Sequence, residues 1–232
     1  MKFSAIFKPI ALFSLKDSNA TNSGSKSLFL PSPYAIKMAL LNQAITLDGV
    51  DFNTVINKFT IVRDARIAYR IRGNFCVNNC FVKLQKQRSK ESFKATVSFR
   101  EYIYITDPIE IIFDVPDKQA VEFWKHYLYR INYFGKRGCF FQFINYNDNP
   151  PEANVDKFLS ENYRSGIIQE YDDFGQDVSF DMVNNYDKES KTKRQKILYL
   201  LPLKRCSASK SYTNYRVKSD FIPGGELKDI IV

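Results

Sequence analysis

The chain of 232 residues holds a single histidine, His126, and a single tryptophan. Of its four cysteines only Cys76 and Cys80 stand close together; Cys139 and Cys206 are isolated. A structural zinc site takes four well-spaced Cys or His ligands, so no metal site and no cofactor are expected. There is no apolar run near the roughly 20 residues that a membrane helix needs. Residues 3–15 are apolar in part, but Lys8 and Pro9 interrupt them and no small-residue cleavage site follows. Walker-type phosphate loops, Gly-x-Ser-x-Gly and His-Glu-x-x-His are all missing. These absences lead us to expect a soluble, cytoplasmic chain with no membrane partner and with reduced, mostly buried thiols.

Present instead are rings and positive charge. Hydrophobic residues are 44% and charged residues 25%, the balance of a globular protein, while aromatics reach 15%. The net charge of +9 is unevenly spread. Residues 58–100 carry +9 and residues 186–218 carry +8, on either side of residues 101–185 at −8. Such segregation suggests a polyanion at one surface and other partners elsewhere. A solvated basic face, or basic edge strands that resist aggregation, would account for the same charge.

Residues 2–7 read as a first strand and residues 17–27 as a polar loop. Pro31, Ser32 and Pro33 open a helix, with Ser32 as its cap. Tyr34, Met38, Leu41 and Ile45 would form its buried stripe over residues 34–46. Residues 59–72 alternate as a strand with Arg66, Arg70 and Arg72 on one face. Residues 75–99 make two β-like runs around a basic tip from Lys83 to Lys90, a protruding hairpin. Residues 101–105 and 109–115 are strands, and Pro116 and Asp117 open a second helix with Val121, Trp124, Leu128 and Ile131 inward. Gly135 and Gly138 frame Lys136 and Arg137 before a strand at 139–146. The order fits an α+β, ferredoxin-like (RRM-like) antiparallel sheet with two helices over residues 1–146, the basic insertion spanning about 70–98. A boundary is expected at 147–151. Beyond it the acidic stretch is weakly patterned, and strands at 197–203 and 212–217 belong to a smaller β-rich region, residues 147–232.

Ten cations between Arg63 and Arg100 interleave with Tyr69, Phe75, Phe81, Phe93 and Phe99. Cations track a phosphate backbone and rings stack unpaired bases, so single-stranded RNA on the sheet is the expected ligand. The candidates are Arg66, Arg70, Arg72, Lys83, Lys86, Arg88 and Lys94, with Arg63, Lys90 and Arg100 beside them. Lys26 and Lys37 could assist the first helix N-terminus in holding a phosphate. The consensus of ordinary RRM domains is absent. A catalytic alternative uses Tyr34, Lys125 and His126, a set able to cut RNA without metal. Adjacent residues on a helix diverge by about 100°, which argues against Lys125 and His126 converging on one phosphate.

Three ordered motifs carry a resemblance. Leu30-Pro31-Ser32-Pro33-Tyr34 opening a helix, Phe99-Arg100-Glu101-Tyr102-Ile103, and Tyr133-Phe134-Gly135-Lys136-Arg137-Gly138 are together similar to the CRISPR-associated protein 5 family. The resemblance covers roughly residues 1–146. It implies a subunit of a type I CRISPR surveillance complex (Cascade) that caps the 5′ handle of the guide RNA (crRNA). Its hairpin would be a thumb packed on a backbone subunit, with a large subunit beside it and target DNA engaged indirectly. Carried over, Ser32, Tyr34, Arg100, Lys136 and Arg137 become handle contacts. One branch, in type I-C systems, cuts precursor guide RNA itself; most members do not. The overall look is nearest type I-B, of the transposon-associated kind.

Overall fold

Phe3, Ala5 and Phe7 are buried while Lys2 and Lys8 are exposed, so the first strand, β1 (Lys2–Pro9), has one core face and one outer face. The computed structural model describes residues 1–20, 24–47, 52–89, 92–158, 165–183 and 194–218, with backbone alone at 24–25, 52–54, 86 and 88–89. After β1 come β2 (Leu15–Lys16), β3 (Gly24–Ser25), β4 (Ser27–Leu28), α1 (Pro33–Leu47), α2 (Phe52–Asp64), β5 (Arg66–Arg70), β6 (Asn74–Ser89) and β7 (Ser92–Ile105). Then follow β8 (Ile109–Asp114), α3 (Lys118–Leu128), β9 (Phe141–Asn147), β10 (Asp156–Lys157), β11 (Ile167–Phe174), the single-turn α4 (Phe180–Val183), β12 (Arg194–Leu201), β13 (Leu203–Ala208) and β14 (Tyr212–Val217).

The first sheet has the order β5-β8-β1-β9, every neighbour antiparallel. With α1 after β1 and α3 between β8 and β9, this is consistent with the ferredoxin-like arrangement expected from the sequence. Asp117 caps α3 by accepting the Ala120 amide at 2.8 Å, and Val121, Trp124, Leu128 and Ile131 are buried as predicted. Trp124 lies 4.8 Å from Phe113, which stacks 5.0 Å from Phe3. No helix among the described residues is long and apolar enough to cross a membrane.

Two predicted elements are corrected. The buried stripe of α1 is Ile36, Leu40, Leu41 and Ala44, so Tyr34, Met38 and Ile45 flank it rather than form it. Residues 59–64 are helical, not extended. Val55, Phe59 and Val62 are buried at a helical period that a window starting at residue 59 misses. Only Cys139 of the four thiols is buried; Cys80 and Cys206 are exposed and Cys76 is half-buried.

The chain leaves the first sheet near the expected boundary, yet one buried cluster runs through both sides of it. Tyr69 of β5 donates to the Pro31 carbonyl at 2.5 Å, and Tyr199 of β12 donates to the Ile67 carbonyl at 2.7 Å. Their rings meet edge-on at 5.8 Å, and Tyr171 of β11 meets Tyr199 at 5.3 Å. The acidic stretch, weakly patterned in sequence, contains β11, which pairs with β12 along its whole length. Tyr171, Asp172, Asp173 and Phe174 are buried in succession because α1 covers one face and basic side chains of β12 reach the other.

Lys37 is the clearest consequence. It is 1% exposed, its Nζ lies 2.6 Å from Asp173, and it also donates to the Arg63 carbonyl at 2.8 Å. Burial pushes its ammonium below the ordinary value, and Asp173 restores only part of the loss. Replacing Lys37 by Met leaves Asp173 buried without a counter-ion and should cost about 3–5 kcal/mol in urea unfolding. Adding Asp173→Asn should recover part of it. A K37M chain as stable as the wild type would mean that the pair contributes nothing.

Candidate nucleic-acid interface

β6 and β7 pair continuously from Phe75 opposite Ile105 to Ser89 opposite Ser92, forming one long hairpin inserted between β5 and β8. Its base is anchored: Phe75, Val77, Ile103 and Ile105 are buried, and Phe29 packs edge-on against Phe75 and Tyr215. Its distal half is not, and Phe81 is 75% exposed and Phe93 67%. β14 pairs with the outer edge of β6 and β13 with β14, so the C-terminal strands extend the hairpin into a sheet of order β13-β14-β6-β7-β3. The four longer strands of that sheet carry eight Lys or Arg residues against one acid, Glu101. Glu101 accepts the Ser27 amide at 2.9 Å. This sheet therefore concentrates positive charge.

Several sequence-predicted contacts sit on it. Lys83 and Lys94 are exposed, and Arg100 donates to the Phe99 carbonyl at 2.9 Å. Lys86 and Arg88 belong to β6, while Lys90 lies outside the described residues, as do the tail holding Gly224 and Gly225 and most of a basic loop expected at 187–196, whose last three residues begin β12 instead. Among the proposed stacking rings, Phe81 and Phe99 face each other 5.6 Å apart. Tyr69 and Phe75 are core residues, which removes them from that role.

The basic face of β5 is partly engaged within the protein. Residues 150–156 run along it, with the Tyr69 amide donating to the Val155 carbonyl at 2.9 Å. Arg70 donates to the Glu152 carbonyl at 2.7 Å and Arg66 lies 3.8 Å from Asp156. A hollow of about 340 Å³ there is lined by Lys2 and Arg66, but equally by Asp114, Glu152 and Asp156. Arg72 is exposed beyond it. No ring lines this hollow.

The N-terminus of α1 does not offer the predicted phosphate seat. Ser32 is buried and its hydroxyl accepts the Ala35 amide at 3.2 Å, as a cap. Lys37, expected to assist, is paired with Asp173 inside the protein. Lys26 is exposed beside a groove of about 350 Å³ that also holds Asp17, Glu101 and Glu170. Tyr34 stands edge-on to Phe174 at 5.1 Å, and the Arg194 guanidinium lies 4.3 Å over its ring.

Lys136 and Arg137 are exposed at the tip of a tight turn, where the Cys139 amide donates to the Lys136 carbonyl at 3.1 Å. Gly135 and Gly138, at φ 67° and 98°, supply the left-handed conformations this turn needs. The three residues of the catalytic alternative have separate partners. Lys125 pairs with Asp148 and covers the rings of Phe3 and Tyr146, and His126 stands edge-on to Tyr127. No hydrogen bond, ion pair or ring contact joins any two of Tyr34, Lys125 and His126 among the described residues.

Sequence reasoning missed Arg194 and Lys196, which neutralise Asp172, and the outward tyrosines of β7 and β14. The basic block at 186–218 signalled the former. Nothing local signals that β14 lies beside β6, because that pairing spans more than 130 residues.

If Lys83, Lys94 and Arg100 each hold a phosphate, the triple alanine variant should flatten the log–log salt dependence of RNA binding by about 2, at ~0.7 per phosphate for a single strand. Arg66→Ala with Arg70→Ala should leave binding within twofold. Filter binding between 50 and 200 mM salt separates the two sets, and equal slopes would refute the assignment.

No family model matches this chain. Over 194 residues it is 23% identical to the CRISPR-associated protein Cas5 of Archaeoglobus fulgidus, covering 78% of this chain and 82% of that protein. A crystal structure of a CRISPR protein from Archaeoglobus fulgidus superposes with a TM-score of 0.47 at 12% identity, over 94% of this chain and 92% of the other. The sequence likeness is to the Cas5 family in general, with no subtype marked out.

Proposed function

We propose that this chain is a non-catalytic, RNA-binding subunit of a type I CRISPR surveillance complex that caps the 5′ handle of the crRNA. One observation carries the reading: the 23% identity to a CRISPR-associated protein Cas5 over about four-fifths of both chains. The charge of the five-stranded sheet is in keeping with a polyanionic ligand. In this reading the β6–β7 hairpin is the thumb, packing its exposed Phe81 and Phe93 against a backbone subunit, and a large subunit docks alongside. Lys136 and Arg137 meet the handle at the glycine turn. Target DNA is reached through the assembled complex, of type I-B by its overall look.

The guide-processing alternative has no favouring contact, since Lys125 is engaged with Asp148 and Tyr34 with Arg194. The protein incubated with repeat RNA and EDTA should therefore leave the RNA intact; specific cleavage would overturn the non-catalytic assignment.

Expressed with neighbouring CRISPR genes and a repeat array, the chain should co-purify with crRNA and backbone subunits by native mass spectrometry. Replacing Arg100, Lys136 and Arg137 together with Ala should weaken that assembly while leaving thermal unfolding nearly unchanged. A monomer that purifies free of RNA and of other subunits would sink the proposal.

A further inference from the structure

The outward face of the five-stranded sheet holds residues to which the function above gives no role. In register across β14, β6 and β7 stand Tyr212, Asn78 and Tyr102, and in the next row Asn214, Cys76 and Tyr104. Arg216 lies opposite Asn74 at one end with Lys204 beside it on β13, and Arg100 lies opposite Cys80 at the other. Residues of the other parity, Ile103 and Ile105 among them, point into the core, so these rows lie on the opposite face, where Tyr102, Asn78, Cys76 and Asn214 are half-buried. Tyr104 is 51% exposed and Tyr212 39%.

Two features identify the occupant. First, the described strands present no carboxylate on this face: β6, β13 and β14 contain neither Asp nor Glu, and Glu101 of β7 lies on the inner face. A surface of one sign interleaved with rings matches a phosphate backbone bearing bases better than it matches a protein of mixed charge. Second, the rings are too far apart for stacked bases. Tyr102 and Tyr104 are two residues apart on one strand, about 6.6 Å, and Tyr212 lies two strand spacings from Tyr102, about 9.5 Å. Stacked bases step by about 3.4 Å. Bases seated on these rings must be splayed, which an unpaired strand allows and a duplex does not.

We propose that this face binds an unpaired nucleic-acid strand, with Tyr102, Tyr104 and Tyr212 each stacking a base and Lys204 and Arg216 holding phosphates. It rests on the RNA-binding reading for the class of ligand and is independent of handle capping.

The test uses the full chain and a fluorescent ten-nucleotide uridine RNA, the matching thymidine DNA and an RNA duplex, read by anisotropy. Either unpaired strand should bind at least tenfold more tightly than the duplex, and a preference between them tells which is carried. Tyr102→Leu, Tyr104→Leu and Tyr212→Leu should each weaken binding about 5- to 100-fold, whereas Phe at the same positions should stay within twofold. On the wild-type chain, the strand should protect Cys80, exposed on this face beside Arg100, from a maleimide reagent. Equal duplex binding, Leu variants within twofold of wild type, or an unprotected Cys80 would each overturn the proposal. So would Leu variants that bind RNA normally but fail to join other subunits, because a protein would then occupy the face. Uridine binding that depends on the tyrosines but shows no preference for a repeat-derived handle would leave this face standing and remove the capping role.

Discussion

Asp172 and Asp173 lie side by side in β11, both nearly buried, and neither can be there charged without a cation brought in alongside it. Lys37 comes from α1 to meet Asp173, and Arg194 and Lys196 come from β12 to meet Asp172. The two pairings fix where the first helix sits against the C-terminal strands. They also join segments more than 130 residues apart in one arrangement. Three buried tyrosines reinforce the same seam, each with its hydroxyl satisfied.

That neutralisation has a counterpart outside. Some acids of the middle of the chain pair inside the protein, and on the first sheet Asp156 lies beside Arg66 while Arg70 donates to the Glu152 carbonyl. The hairpin and the two strands added to it receive cations with almost no acids to meet them. Eight cations against one acid thus gather on the four longer strands of one sheet, in a chain whose whole net charge is +9. The ferredoxin-like sheet acts as the platform that holds the second sheet out, and the second sheet carries the features suited to a nucleic acid.

The catalytic and binding alternatives separate on the same grounds. A residue is available to a ligand only if its charge is not already taken. Lys125 is paired with Asp148 at the surface and Lys37 with Asp173 in the interior. Lys83, Lys94, Lys136 and Arg137 are exposed on a hairpin and a turn, where a phosphate can reach them.

The sequence alone determined what depends on neighbours within a few residues. It set the cap at Ser32, the cap and buried stripe of α3, the glycine turn around Lys136 and Arg137, and the strands β1, β8 and β9 of the first sheet, because period and capping are local. Only the tertiary structure decided which charges meet. Lys37 and Lys83 look alike in the chain, yet one is buried on an aspartate 136 residues away and the other is exposed on a hairpin. The outward row of Tyr212, Asn78 and Tyr102 likewise exists only because β14 returns to the edge of β6. Coulombic pairing and strand register act through space, and no local pattern in the chain encodes which partner arrives.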